Sequence, residues 1–164
     1  MYSLIKLSTR KEWIRFGALH RGKDLPAVEW LDGQKEWCRN GKWHRDKDLP
    51  AIIGCPEPQG RTKQWYKNGE RHRDNDLPAI EWSYGAKQWW RNNIEYKFVE
   101  YENGTKEWHD LLGNLHRNGD KPAVIYANED KEWWYNGKRH RLDGPAVIYG
   151  GKQYWFENGE FINV

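Results

Sequence analysis

The sequence predicts an all-β protein, an elongated repeat array of antiparallel β-hairpins in a single twisted sheet. Three observations predict it. One set of residues returns with a 24-residue period, Asn-Gly pairs punctuate that period, and no run keeps 3.6-residue spacing for even three turns. The composition agrees. Only 37% of the 164 residues are apolar, yet 15% are aromatic, with twelve Trp, nine Tyr and four Phe. A mean hydropathy of −1.12 would suit a disordered chain, but disordered chains are poor in aromatics. The core is therefore thin and built from large side chains.

The period is read from His-Arg, which occurs at His20-Arg21, His44-Arg45, His72-Arg73, His116-Arg117 and His140-Arg141. Its separations are 24, 28, 44 and 24 residues. The 28 is a unit lengthened around Cys55, Pro56, Glu57 and Pro58. The 44 covers two units, one of them shortened, with Tyr96-Lys97 in the His-Arg slot. Seven residues before the His slot stand Trp13, Trp37, Trp65, Trp89 and Trp133, with Trp108 eight before and Trp155 heading a last partial unit. Lys11, Lys35, Lys63, Lys87, Lys106 and Lys131 each precede such a Trp by two. Pro26, Pro50, Pro78, Pro122 and Pro145 follow the His slot, each with Ala after it. The chain is thus one repeat domain over 1–164, with about seven hairpin units of ~24 residues, a shortened unit near 92–108 and a partial last unit at 152–164.

Within a unit the elements follow in order. Lys35 to Arg39, the pair Asn40-Gly41, and Lys42 to Arg45 form a hairpin, because Asn-Gly accepts the positive φ of a type I′ turn. Asp46 to Pro50 is a loop, since proline has no N–H for a central ladder. Ala51-Ile52-Ile53 starts a further extended piece, matched by Ala27-Val28-Glu29-Trp30, Ala79-Ile80-Glu81-Trp82, Ala123-Val124-Ile125-Tyr126 and Ala146-Val147-Ile148-Tyr149. Alternation puts Val or Ile and the following aromatic on the buried face. The expected buried stripe joins the Trp column to Val28, Ile52, Ile80, Val124 and Val147. At about 4.8 Å per strand the array would extend roughly 65–70 Å.

The run Lys131-Glu132-Trp133-Trp134-Tyr135-Asn136-Gly137-Lys138-Arg139-His140-Arg141-Leu142-Asp143-Gly144-Pro145-Ala146-Val147-Ile148-Tyr149 resembles the MORN repeat. Asp32-Gly33 sits where that repeat has its closing Asp-Gly. The resemblance extends over about Lys11 to Gly159, with Arg replacing the family's Gly after His and an added Asp-x-Pro-Ala. This variant is similar to arrays found in large DNA viruses of amoebae and in bacteriophages. It implies a hairpin-array fold and, as expectations, a viral scaffold protein that binds other proteins.

Several function classes are excluded or disfavoured. No apolar stretch is long enough for a spanning helix, and Met1 to Arg10 lacks a signal-peptide pattern. Cys38 and Cys55 make no disulfide framework, so an intracellular, reducing setting (host cytoplasm, or a virion) is expected. Net charge is +3, with 27 basic against 24 acidic residues. Successive His would lie roughly 9–10 Å apart, whereas zinc ligands sit about 2 Å from one ion, so no metal or cofactor is expected. Each His is expected to cap a loop or meet the Asp column, Asp24, Asp48, Asp76 and Asp120. No unique nucleophile accompanies the repeated His and Asp, so the chain is expected not to be an enzyme.

The Arg column, Arg21, Arg45, Arg73, Arg117 and Arg141, is the candidate binding set, with Trp43, Tyr66, Trp90 and Trp134 as stacking surfaces. The alternative for each Arg is an ion pair with the Asp three residues later. The leading expectation is a non-enzymatic scaffold for protein–protein interaction. The alternatives are a binder of anionic lipid or nucleic acid through the Arg column, and a sugar or nucleotide binder using exposed Trp. Homodimerisation through a terminal hairpin is also expected, because open sheet edges pair.

Overall fold

The computed structural model describes residues 2–54 and 61–163. The lengthening at Cys55, Pro56, Glu57 and Pro58 lies outside them. The described residues contain strands and turns and no helix, and every strand pairing among them is antiparallel. Among the described residues no helix is long and apolar enough to cross a membrane. Two compact parts divide the chain, Met1–Ile94 and Glu95–Val164. The division falls in the shortened unit.

In the first part an open ladder runs Tyr2–Lys6, Arg10–Arg15, Val28–Trp30, Lys35–Glu36, Ile52–Ile53, Thr62–Gln64, Ile80–Trp82 and Lys87–Arg91. In the second it runs Lys106–His109, Val124–Ile125, Lys131–Glu132, Val147–Tyr149, Lys152–Glu157 and Glu160–Ile162, preceded by Ile94–Glu100. Two kinds of strand alternate. One leads into the column Trp (a Trp strand), and the other follows Pro-Ala (an Ala strand). The register repeats: Glu36 pairs with Val28 on one side and Ile52 on the other, and Glu132 with Val124 and Val147.

The Asn-Gly turns are where the sequence places them. Both central residues have positive φ, 51° and 79° at Asn40-Gly41 and 48° and 73° at Asn136-Gly137, as a type I′ turn demands. Phe16-Gly17 and Asn92-Asn93 adopt the same conformation in the same slot.

The hairpins themselves depart from expectation. Their two arms were expected to be ladder strands, but in several repeats the column Trp interrupts the strand. Lys35–Glu36 stays in the ladder, while Cys38–Arg39 pairs with Lys42–Trp43 in a separate two-stranded sheet. Tyr66–Lys67 with Glu70–Arg71, and Trp134–Tyr135 with Lys138–Arg139, do the same. The cause is a change of partners at the Trp. Its N–H donates to the Ala carbonyl of the adjoining ladder strand (Trp37 to Ala51, 2.8 Å). Its own carbonyl accepts from the His N–H returning from the turn (His44, 3.0 Å).

The expected single buried stripe is divided between two faces. Val28, Ile52, Ile80, Val124 and Val147 are all buried, as expected, and are cross-strand neighbours of the residue before each Trp. The Trp and the Ala after proline lie one position further along, on the opposite face. Trp37, Trp65, Trp108 and Trp133 are at most 7% exposed, and Ala27, Ala51, Ala79, Ala123 and Ala146 are completely covered. Complete cover at those alanines leaves no open space for a larger side chain.

Candidate functional site

The joint between successive repeats gathers the His, Arg, Asp and Trp columns. It begins in the loop before proline. Lys47 and Asp48 both have positive φ, 61° and 52°, as do Lys23-Asp24, Asn75-Asp76 and Gly119-Asp120. Aspartate tolerates this left-handed region better than most residues. The turn carries each Asp away from its own Arg and onto the next repeat.

Each column Arg lies flat on its own repeat's indole. The guanidinium carbon is 3.5 Å from the Trp13 ring centroid for Arg21, 3.7 Å from Trp37 for Arg45 and 3.7 Å from Trp65 for Arg73. The corresponding distances are 3.5 Å from Trp108 for Arg117 and 4.0 Å from Trp133 for Arg141. Nη1 donates to the carbonyl of the proline ending the same loop in all five, at 2.7 to 3.4 Å. The expected pairing with the Asp three residues on is corrected. Arg45 forks onto Asp24 (2.8 and 2.9 Å), Arg73 onto Asp48 (3.0 Å from Nε and from Nη2) and Arg141 onto Asp120 (2.7 and 2.9 Å). The partner Asp belongs to the preceding repeat. Arg21 instead meets Glu29 at 2.9 Å.

The indole closes the joint from the same side. The Nε1–H of Trp37 donates to the Asp24 carbonyl (3.0 Å), Trp65 to Asp48 (2.9 Å), Trp89 to Asp76 (3.0 Å) and Trp133 to Asp120 (3.3 Å). Trp108 follows the shortened unit, which lacks the Pro loop, and its buried Nε1–H has no partner among the described residues. A prediction follows from this difference. Trp65→Phe loses a hydrogen bond and orphans a carbonyl, so it costs about 1–2 kcal/mol more than Trp108→Phe, which removes a donor already unsatisfied. Urea denaturation of the two variants measures the gap, and equal losses would contradict the geometry.

The His column also bridges repeats. Nδ1 of His44, His116 and His140 accepts the backbone N–H of Asn68, Asn136 and Asn158, each at 3.1 Å, at the I′ turn of the next hairpin. Nε2–H of His44 donates to Asp46 and that of His72 to Asp74, both at 2.9 Å, and that of His116 to Asn118 at 3.1 Å. The carboxylates that meet histidine are thus the ones two residues on, rather than the expected Asp24, Asp48, Asp76 and Asp120. Among the described residues no three of His, Cys, Asp and Glu converge as metal ligands.

These contacts set the acid response. The Arg45 and Arg141 guanidinium groups hold Asp24 and Asp120 below the ordinary carboxylate range. His44, then Arg39, does so for Asp46, and His72 for Asp74. A carboxyl whose folded pKa is depressed stabilises the fold fully above its unfolded value, near 4, and that contribution is lost as pH falls through the folded value. The melting temperature should therefore hold steady above about pH 5 and drop below about pH 4. Asp24→Asn should flatten part of that drop.

The expected stacking residues serve the other face. A Glu or Gln precedes nearly every column Trp: Glu12, Glu36, Gln64, Gln88, Glu107 and Glu132. Glu36 is buried and accepts from the indoles of Trp30 (2.8 Å) and Trp43 (2.9 Å). Glu132, 2% exposed, accepts from Trp134 (2.5 Å), Arg139 (3.2 Å) and Tyr126 (3.2 Å). Burial, then the Glu132 charge, pushes the Tyr126 phenol up to about 12. Tyr66 donates to Gln64 and Trp90 to Gln88. Tyr66 was expected as an exposed stacking ring and is buried, packed 5.1 Å from Trp43. Trp43 is the most exposed of the four, at 39%. The Glu/Gln column is the feature that reading by motif passed over, although it stands in the same phase as the Trp column.

Surface clefts open at the joints. One of about 530 Å³ lies between the loops at His20–Asp24 and His44–Lys47, floored by Trp37 and Cys38. The next, about 300 Å³, repeats the arrangement over Trp65 and Tyr66, and one of about 330 Å³ does so over Trp133 and Trp134. Cys38 is buried, and that burial pushes its thiol up to about 12, so it is inert as a nucleophile. The cleft carboxylates Asp24, Asp46, Asp48, Asp74 and Asp120 are ion-paired, whereas Lys23, Lys47 and Lys121 on the rims have no ion-pair partner among the described residues. Comparison with models of known protein families, with curated proteins and with solved structures finds no match to the chain.

Proposed function

We propose that the chain is a non-enzymatic, MORN-repeat-like scaffold that binds another protein through the clefts at its joints. The observation that carries this reading is repetition. The same arrangement of loop, indole floor and lysine rim recurs at three joints, and none of them adds a reactive residue that the others lack. Within the first part, the two equivalent clefts over Trp37 and Trp65 suit an extended partner that touches both in turn. The rim lysines favour an acidic segment in that partner, because Asp24, Asp48 and Asp120 are already neutralised within the joints.

The five arginines face less outward than a phosphate-binding column requires. Each stacks on an indole and bonds a carbonyl, and most of their side chains are less than a quarter exposed. The test is quantitative capture from an extract, with wild-type chain beside a Lys23→Glu/Lys47→Glu variant of unchanged fold. The expected result is a protein retained by the wild type, released by salt and absent with the variant. Identical capture by both chains, or turnover of a substrate by the purified protein, would overturn the proposal.

A further inference from the structure

Asparagine followed by glycine is prone to lose its side-chain amide, because glycine leaves the next backbone nitrogen open to approach the amide carbon. The chain has six such pairs, beginning at Asn40, Asn68, Asn103, Asn118, Asn136 and Asn158, and all six asparagines are exposed. The reacting atom is the glycine nitrogen, which has to give up its proton. In five pairs that N–H is already committed. Gly41 donates to Leu19 (2.8 Å), Gly69 to Trp43 (2.8 Å), Gly137 to Leu115 (3.0 Å) and Gly159 to Arg139 (2.9 Å), each a carbonyl of the preceding repeat. Gly104 donates to Tyr101 (2.9 Å) in its own turn. Gly119 makes no such bond among the described residues.

The amide of Asn118 is also activated. His116 accepts the Asn136 backbone N–H at Nδ1 (3.1 Å), which requires a lone pair there, so its proton sits on Nε2. That Nε2–H donates to Asn118 Oδ1 at 3.1 Å. The bond draws electron density from the amide carbon and holds the side chain with its oxygen toward the imidazole.

We propose that Asn118-Gly119 is a deamidation site of the folded protein, with His116 polarising the amide. The Gly119 nitrogen bonds to Asn118 Cγ, the Cγ–Nδ2 bond breaks, and the amide nitrogen leaves as ammonia with the proton that Gly119 gave up. Water then opens the cyclic imide at one of its two carbonyls. One opening leaves aspartate at position 118, the residue type that stands at this place as Asp46 and Asp74, each 2.9 Å from its own histidine. The other leaves isoaspartate, whose extra backbone carbon lengthens the loop that aims Asp120 at Arg141 (2.7 and 2.9 Å). Modification of this residue thus either rebuilds a His–carboxylate pair or loosens one joint. It needs no partner protein, so it stands or falls separately from the scaffold reading.

The test ages the folded chain in mildly alkaline buffer and follows each Asn-Gly pair by peptide mass spectrometry. Asn118 should convert at least roughly tenfold faster than Asn40, Asn68 and Asn136, whose glycine N–H groups must first break a hydrogen bond. In urea that lead should vanish. Gly119→Lys should all but stop the reaction and keep the fold, since Lys47 stands at the same place with a positive φ of 61°. His116→Phe, which keeps a ring against Tyr135, should slow it by at least roughly threefold. Asn118 ageing no faster than Asn40 in the folded chain, a lead that persists in urea, or an unchanged rate in His116→Phe would overturn the proposal.

Discussion

Arg73→Ala should destabilise the protein by about 2–4 kcal/mol, a large effect for a residue of a surface loop. The side chain is only 12% exposed and joins two repeats at once. It covers the Trp65 ring, forks onto Asp48, bonds the Pro78 carbonyl and reaches Glu81 at 2.9 Å. Truncation strips the indole of its cover and leaves a carbonyl and two carboxylates without their donor. Arg73→Lys keeps the charge but loses both the flat stack and the fork, and should cost about 1–2 kcal/mol. Arg39 makes an ion pair with Asp46 on an open surface, half exposed, and Arg39→Ala should change stability by about 0.5 kcal/mol or less. Guanidinium denaturation followed by Trp fluorescence gives all three numbers. Equal losses for Arg73→Ala and Arg39→Ala would mean that the joint is no stronger than an ordinary surface pair.

Glu132→Ala should cost about 3–5 kcal/mol. It removes a carboxylate shared by three donors, leaving the Trp134 indole without its acceptor, the half-exposed Arg139 guanidinium without its carboxylate and the Tyr126 hydroxyl with only the Tyr149 hydroxyl. The repeat itself supplies the milder variant, because Gln occupies the same position at Gln64 and Gln88 and accepts there from Tyr66 and Trp90. Glu132→Gln should therefore cost only about 1–2 kcal/mol, the loss falling mainly on the Arg139 contact. Thermal melts of the two variants separate the need for an acceptor from the need for a charge. A Gln variant as damaged as the Ala variant would place the weight on the charge.

Much of this architecture was legible because it repeats. Asn40-Gly41 and its equivalents specify a I′ turn from two residues, and Val28, Ile52 and Ile80 are buried as alternation predicts. What was not legible depends on backbone conformation that residue types only permit. Nothing in the string Asp46-Lys47-Asp48 says that positive φ at Lys47 and Asp48 will aim the second carboxylate at Arg73 and not at Arg45. The exchange of hydrogen-bond partners at Trp37, which moves the hairpin out of the ladder, is likewise set by packing of the indole. Glu36 and Glu132 went unnoticed for another reason. A charged residue in a strand reads as solvent-facing until its donors, separated along the chain, are brought around it.

Each joint has two halves of different origin. The acceptor, an Asp carbonyl and carboxylate, comes from one repeat, and the donors, an indole and a guanidinium, come from the next. Every full unit carries both halves, so a duplicated 24-residue segment arrives with the means to engage the unit before it and the unit after it. No new interface has to be invented when the gene lengthens. The shortened unit shows the converse, since it lacks the Pro loop and the Trp108 indole that follows it finds no carbonyl among the described residues. An array of this construction is free to change length by unequal recombination, and the cost of each loss stays local to one joint.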